Sequence, residues 1–333
     1  MSNSSSKGIL LVAESIHNIR MNTAAELIGD ALRKAGANLE ILVTRDKAEA
    51  EKVLDRIEIA FGDIPFELIP KMPNLRWLQL WSAGADILQA IPELKTLPFS
   101  MTTTSGIHGQ QIAEHVFALI LTRARKMERA FRNQGGHVWN RPKMGEMSTL
   151  KGKAMLILGY GVIGEKVARA ALAFGMKVSG LRRRAGELTT DKLGVTVMPA
   201  AQLYEALGQA DYVVNILPHT ADTEYRLGKK EFDSFKPQAV YVNVGRGKTT
   251  CETALAEALR TGRLAAALLD VTETEPLPGD SPLWDMENVL ITPHYAGFHE
   301  DYNGLAMDIA LENLGRYLRG ETLRNLVDKG AGY

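Results

Sequence analysis

Apolar positions in the first hundred residues come as short runs separated by stretches of helical period. Ile9 to Ala13 reads as a strand. Ala24, Leu27, Ile28, Ala31 and Leu32 then recur as the stripe of an amphipathic helix, and Gly36 stands where that helix would stop. Leu39 to Val43 reads as the next strand, followed by a charged helix that ends near Arg56. Ile57 to Phe61 and Trp77 to Leu80 read as further buried strands. Strands alternating with helices predict a parallel sheet covered by helices.

The texture changes near Thr102. A helical stretch from His108 to Arg132 carries Ile112, Val116, Leu119 and Ile120 along one side. An irregular segment follows, and then a second alternating series. Its expected strands are Ala154 to Leu158, Lys177 to Leu181, Tyr212 to Leu217, Val240 to Val244, Ala265 to Leu269 and Val289 to Ile291. Six strands with helices between them fit a doubly wound nucleotide-binding sheet. A last helix runs from His299 to Leu318, with Ala306, Ile309, Ala310, Leu314 and Tyr317 on its apolar face and Gly320 beyond its end.

Composition narrows the class. A chain of 333 residues can fold as two domains, and 45% apolar residues is ordinary for a globular protein. The formal net charge is zero, so no bulk field draws the chain to nucleic acid or a membrane surface; Arg182, Arg183 and Arg184 form its one short basic run. A single cysteine, Cys251, rules out an internal disulfide and argues against a cysteine-based metal site. No His, Asp and Glu cluster has a metal-ligand spacing, so no metal is expected. The polar start, MSNSSSKG, reads as a loose tail and not a signal peptide, and no apolar run has membrane-spanning length. The expectation is a soluble, cytoplasmic protein.

The glycine triplet GYGVIG follows the strand AMLIL and opens a helix. That is the context a dinucleotide fingerprint requires. Gly159 would permit the sharp turn, Gly161 the approach of a pyrophosphate, and Gly164 close packing of helix on strand. The amides of Val162 and Ile163 would face the phosphates from the positive end of the helix. A site for NAD normally has an acid about 20 positions further on, bonded to the ribose. Here Arg182 lies 18 residues after Gly164, and no acid occurs before Glu187. Guanidinium groups of Arg182 and Arg183 would grip a 2′-phosphate that a carboxylate would repel, which favours NADP(H) over NAD(H). A solvated arginine run is the plainer alternative.

Three further residues suggest chemistry. The strand AVYVNVG ends just before Arg246, where open α/β sheets hold ligands, and Gly245 and Gly247 would leave room for a substrate and a nicotinamide ring. A guanidinium there can hold a 2-keto acid by its carboxylate and polarise the ketone. His294 can donate a proton as charge grows on the carbonyl oxygen. Glu275 can orient that imidazole and favour its charged form.

These segments resemble the D-isomer-specific 2-hydroxyacid dehydrogenase family over nearly the whole chain. The resemblance rests on GYGVIG, NVGRGK, LLDVTETEPLP, ITPHYAG and the segment around AEH, Ala113 to His115. The spacings, 29 residues from Arg246 to Glu275 and 19 from Glu275 to His294, suit the family pattern. The resemblance implies a Rossmann cofactor domain, residues 102–296, inserted in a flavodoxin-like α/β substrate domain made of residues 1–101 and 297–333. The active site would lie in a cleft that closes by a hinge. The resemblance adds Asp270 as a partner of the nicotinamide carboxamide, and Leu217, Pro218 and Thr223 in the adenosine-side loop. There His219 departs from the usual LPLT pattern and is placed by the ribose. Val244 and Gly297 become cofactor contacts, and the backbone of Ser82, Ala83 and Gly84 becomes part of the grip on the substrate carboxylate. It also implies a homodimer built through the helix after Gly106 and the arm near Trp139.

The resulting expectation is an NADPH-dependent reductase of small 2-keto acids, of the glyoxylate or hydroxypyruvate type, with residues near Trp81 and Leu88 shaping the pocket. A non-catalytic, corepressor-like dinucleotide sensor, or a dehydrogenase that oxidises another small anion such as phosphite, would use the same scaffold. His17, His108 and His137 match no role, and His115 reads as a buried, hydrogen-bonded histidine.

Overall fold

The computed structural model describes residues 8–12, 21–44, 46–62, 64–183 and 185–333. Residues 1–7 of the polar start, Ala13, His17 and Arg184 lie outside the described residues. The chain divides into two units, one of Met1–Ile107 with His299–Tyr333 and one of His108–Phe298.

The described residues of the first unit form five strands: β1 (Gly8–Val12), β2 (Glu40–Thr44), β3 (Ile57–Phe61), β4 (Trp77–Gln79) and β5 (Ser100–Thr102). They pair in parallel in the order β2-β1-β3-β4-β5. That is the flavodoxin-like order. The strand β5 is short and follows a 3-10 turn, and the sequence reading passed over it. The helix Met21–Ala35 lays Ala24, Ile28 and Leu32 against Ala306, Met307, Ala310 and Leu314 of the final helix, Tyr302–Leu318. Gly36 and Gly320, with φ of 65° and 69°, end these two helices in the left-handed region that glycine accepts freely.

The second unit carries β6 (Ala154–Leu158), β7 (Lys177–Arg182), β8 (Thr189–Thr190), β9 (Thr196–Pro199), β10 (Tyr212–Asn215), β11 (Ala239–Asn243), β12 (Leu264–Leu269) and β13 (Val289–Ile291). The order is β13-β12-β11-β10-β6-β7-β9-β8, parallel except for β8. Its centre has the doubly wound 3-2-1-4-5-6 arrangement, with β13 added at one edge. Side chains alternate with the pleat. Met155, Ile157, Val214, Val242 and Leu268 face one core with Val116 and Val167. Leu156, Leu158, Val213, Tyr241 and Leu269 face the other with Leu207 and Leu255.

Two expectations need correction. The sequence reading counted six strands, but its count omitted β9, the third strand of the arrangement, and reached six by including β13. The run TVMP is short and only Val197 in it is fully covered, so it lacks the long apolar stretch of its neighbours. The stretch from His108 to Arg132 is two helices, Gly109–Ala124 and Met127–Gly135. Lys126, at φ 55°, turns the chain through the left-handed region and breaks the helix between them.

Among the described residues no helix is long and apolar enough to cross a membrane.

Candidate active site

Parallel pairing aligns the carboxyl ends of three strands. Asn243 of β11 stands opposite Leu269 of β12, and Leu269 opposite Ile291 of β13. Arg246 lies three positions beyond Asn243, Asp270 one beyond Leu269, and His294 three beyond Ile291. Sheet register therefore delivers all three to one edge, where doubly wound sheets bind ligands.

Buried polar side chains fix the turns at that edge. Asn215 and Asn243, paired across β10 and β11, are almost inaccessible. Asn215 donates to Thr249 Oγ1 at 2.8 Å, and Asn243 Oδ1 accepts from the Gly245 amide at 3.1 Å. The Thr249 hydroxyl donates to the Arg246 carbonyl at 2.6 Å. The Arg246 side chain leaves this turn with Nη1 donating to the Gly245 carbonyl at 2.9 Å. Glycine at 245 and 247 has a different reason from the one expected. A Cβ at Gly245 would lie 2.7 Å from the Leu217 carbonyl oxygen, and one at Gly247 only 1.8 Å from that of Thr272. Backbone packing against neighbouring loops excludes side chains there.

Glu275 and His294 meet. The imidazole Nδ1 and the Glu275 carboxylate are 2.6 Å apart, and the other carboxylate oxygen accepts from the Thr272 amide at 3.1 Å. The bond from Glu275 holds the His294 imidazole above its ordinary range, against the opposing effects of burial and the Arg246 charge. Burial acts to raise the Glu275 carboxyl, yet the His294 bond, the Thr272 amide and the Arg246 charge together hold it below the usual carboxylate value. With Nδ1 committed to Glu275, Nε2 is the nitrogen that can exchange a proton.

His294 sits at φ 52°, an uncommon conformation for a side chain with a Cβ. Asp270 holds the loop that imposes it. This buried carboxylate accepts from Thr292 Oγ1 at 2.6 Å, the Tyr295 amide at 3.2 Å and the Ala296 amide at 3.0 Å. Its backbone carbonyl accepts from the His294 amide at 2.8 Å. A carboxylate has about four acceptor positions, so one stays open for a further donor.

The glycine loop turns sharply at its first glycine and packs closely at its third. Gly159 has φ 88° and a Cβ there would meet the Ile216 carbonyl oxygen at 3.0 Å. A Cβ at Gly164 would press on Tyr160 and Ile157 at 3.2 to 3.3 Å, the close helix-on-strand packing of the third glycine. A Cβ at Gly161 would meet no protein atom within 4 Å, so internal packing does not require glycine at that position. The helix that follows, Val162–Ala173, has first-turn amides without intrahelical acceptors, Val162 and Ile163 among them. Arg182 ends β7, exposed, and Arg183 follows it with Nη1 3.8 Å from Asp222. The helix end could hold the pyrophosphate of a dinucleotide.

The remaining candidates are scattered. Leu217, Pro218 and Thr223 share one partly buried loop, where the Thr223 hydroxyl donates to the Pro218 carbonyl at 2.6 Å. His219 lies 3.4 Å from Glu224 in the same loop. Val244 is buried at the end of β11, and Gly297 packs on His108, whose ring a Cβ would meet at 2.9 Å. Ser82, Ala83 and Gly84 belong to the first unit, where Ser82 Oγ donates to the Gly84 carbonyl at 2.9 Å. Trp81 and Leu88 are fully buried in the cores of that unit, so their own side chains do not line a pocket. The sequence reading missed Asn215, Asn243 and Thr292; a polar residue closing an apolar strand was the available signal. Among the described residues no group of His, Cys, Asp or Glu side chains could hold a metal ion.

Fold and site together define a dinucleotide-binding α/β oxidoreductase. The profile for the NAD binding domain of D-isomer specific 2-hydroxyacid dehydrogenases matches residues 117–296. The chain belongs to that family. It is 30% identical to the glyoxylate reductase of Korarchaeum cryptofilum, over 93% of this chain and 96% of that protein. It is 35% identical to glyoxylate/hydroxypyruvate reductase B of an Enterobacter species, over 78% and 80%. The solved NADPH-dependent glyoxylate/hydroxypyruvate reductase of Sinorhizobium meliloti, in complex with NADP and sulfate, superposes with a TM-score of 0.80 at 27% identity, over 98% of this chain and 100% of that one.

Proposed function

We propose that the protein reduces small 2-keto acids to 2-hydroxy acids with NADPH, and that glyoxylate and hydroxypyruvate are its substrate class. One observation carries this reading: His294, paired through Nδ1 with Glu275 and close enough to Arg246 to feel its charge, stands at the carboxyl edge of a dinucleotide-binding sheet. The reduced nicotinamide, when bound, supplies the hydride. Arg246 holds the substrate carboxylate and draws density from the ketone. His294 gives the Nε2 proton to the oxygen as charge develops, and Glu275 stabilises the imidazolium before that transfer. In the opposite direction the neutral imidazole takes the hydroxyl proton.

The preference for NADP(H) rests on Arg182 and Arg183 at the end of β7, where an NAD site carries an acid. The relatives' names, glyoxylate and hydroxypyruvate reductases, favour the small keto acids. A homodimer is supported by large apolar side chains on one exposed stretch, with Phe131 61%, Trp139 92% and Met144 96% exposed.

The test follows absorbance of NADPH and of NADH with glyoxylate, hydroxypyruvate, pyruvate, phenylpyruvate and phosphite. Glyoxylate or hydroxypyruvate should turn over fastest, with NADPH preferred, and His294→Asn should remove turnover while NADPH still binds. Binding of NADPH without reduction of any keto acid would replace this reading with that of a dinucleotide sensor.

A further inference from the structure

His115 sits mid-helix in Gly109–Ala124, largely covered, with its ring turned to the loop that presents His294. Its Nε2 is 2.9 Å from Thr292 Oγ1 and 3.6 Å from Asp270 Oδ1. Its ring meets that of Tyr295 edge-on, with centroids 5.3 Å apart. The direction of the bonds follows from counting hydrogens. Thr292 has one hydroxyl hydrogen, and its 2.6 Å contact with the Asp270 carboxylate claims it. The threonine oxygen is then an acceptor, and His115 Nε2 must donate. The loop from Thr292 to Ala296 is thus tied at three points to the Asp270 carboxylate, and at Thr292 to the helix as well.

We propose that His115 is a positioning residue: its Nε2–H, through Thr292 and Asp270, locks the backbone of the loop so that His294 keeps its unusual φ and stays against Glu275. The proposal rests on the reductase reading only for its kinetic consequence. The tie itself joins a helix to a loop and holds whatever the substrate. Asp270 is the anion of the network, and Glu275 and Arg246 are the other charged groups facing His294.

Three variants test it: His115→Phe, which fills the space without a donor; His115→Gln, which can still donate to Thr292; and Thr292→Val, which removes the hydroxyl and little volume. Reduction kinetics, NADPH binding and an NMR titration of the His294 ring in histidine-labelled protein are measured, with His294→Asn to assign the signal. A displaced proton donor should lower kcat by about tenfold or more in His115→Phe and Thr292→Val, with the NADPH Kd within about twofold. His115→Gln should recover most of the rate. In the two impaired variants the His294 ring should titrate lower than in the wild type, since its pairing with Glu275 loosens.

Wild-type kcat and titration in both Thr292→Val and His115→Phe would overturn the proposal. A glutamine variant as impaired as the phenylalanine variant would also overturn it, because packing and not donation would then be at work. If His115→Phe fails to fold, Thr292→Val and His115→Gln decide. A wild type inert toward every keto acid would sink the reductase reading alone, and the NMR comparison would still decide this one.

Discussion

Replacing Glu275 with glutamine keeps the shape of the side chain and one acceptor for His294 Nδ1, but removes the charge. In the proposed reaction, reduction needs the protonated imidazole. A histidine held above its ordinary pKa keeps its proton from the acid side up through that raised value and loses it at higher pH. Removing the carboxylate lowers the value, so the alkaline limb of kcat/KM for reduction moves to lower pH. The ratio of wild-type to Glu275→Gln activity should be near one where both imidazoles are protonated, rise through the interval between the two limbs, and level off where both are mostly neutral.

The plateau measures the pair energy. Unit charges about 4 Å apart attract by about 1 kcal/mol in water and about 4 kcal/mol at the effective dielectric near a protein surface. The side chains of His294 and Glu275 are 49% and 37% exposed, so screening brings the attraction to the low part of that range. About 1–2 kcal/mol corresponds to a plateau of about 5- to 30-fold. The assay is kcat/KM for glyoxylate with saturating NADPH, from about pH 5 to about pH 9, the range in which histidine titrates. A ratio that stays constant across this range would refute the reasoning, since Glu275 would then act by some route other than the protonation of His294.

Other substitutions separate the parts of the site. Arg246→Ala removes the cation proposed to hold the substrate and should lower kcat/KM by about 10²- to 10³-fold, with NADPH affinity little changed in a fluorescence titration. The double variant Arg182→Ala, Arg183→Ala should weaken NADPH by about 10²- to 10⁴-fold and NADH by much less, given about 1.5–3 kcal/mol for each bond to a charged group. Equal losses for both cofactors would mean that these exposed arginines read no phosphate. Gly247→Ala would force a Cβ to 1.8 Å from the Thr272 carbonyl oxygen. The backbone leading to Glu275 must shift, at about 3 kcal/mol, the high end of overpacking costs, so calorimetry should show a lower melting temperature together with lost turnover.

Periodicity was enough for most strands because both faces of each sheet are covered. Buried parallel strands such as AMLIL and ALL before Asp270 read as continuous apolar runs. It failed at β5, an edge strand of three residues, and at β9, a near-edge strand in which only Val197 is buried. It joined two helices into one because Lys126 looks like an ordinary helix former; only the backbone reveals its left-handed turn. The pairing of Glu275 with His294 was legible as chemistry, since acid and imidazole are complementary. The role of Asp270 in ordering the histidine loop was not, because three of its partners are Thr292 and two backbone amides, and amides carry no sequence signature. Gly247 misled for a related reason. A glycine beside a candidate site suggests room for a ligand, whereas here a neighbouring carbonyl occupies the place of its side chain.

The geometry of the site follows from strand register more than from any single contact. Arg246 and His294 sit at equal offsets past Asn243 and Ile291, two residues brought level through Leu269. Slipping one strand by a single residue would displace its loop by about 3.3 Å and turn every side chain to the opposite face. Both faces of this sheet are covered, so such a slip would swap Leu268 and Leu269 between the two cores and pull the buried ends Asn215 and Asn243 away from their hydrogen-bond partners. The hydrophobic pattern that stabilises the sheet thereby also sets the spacing of the guanidinium and the imidazole. Glu275 is the exception. It stands five positions past Asp270 on a longer loop, beyond the reach of register, and its place is set by the Thr272 amide, the His294 ring and the close passage of Gly247. Of the three candidate residues it should therefore tolerate distant packing changes least, and variants in the 245–250 turn should disturb its partnership with His294 before they disturb Arg246.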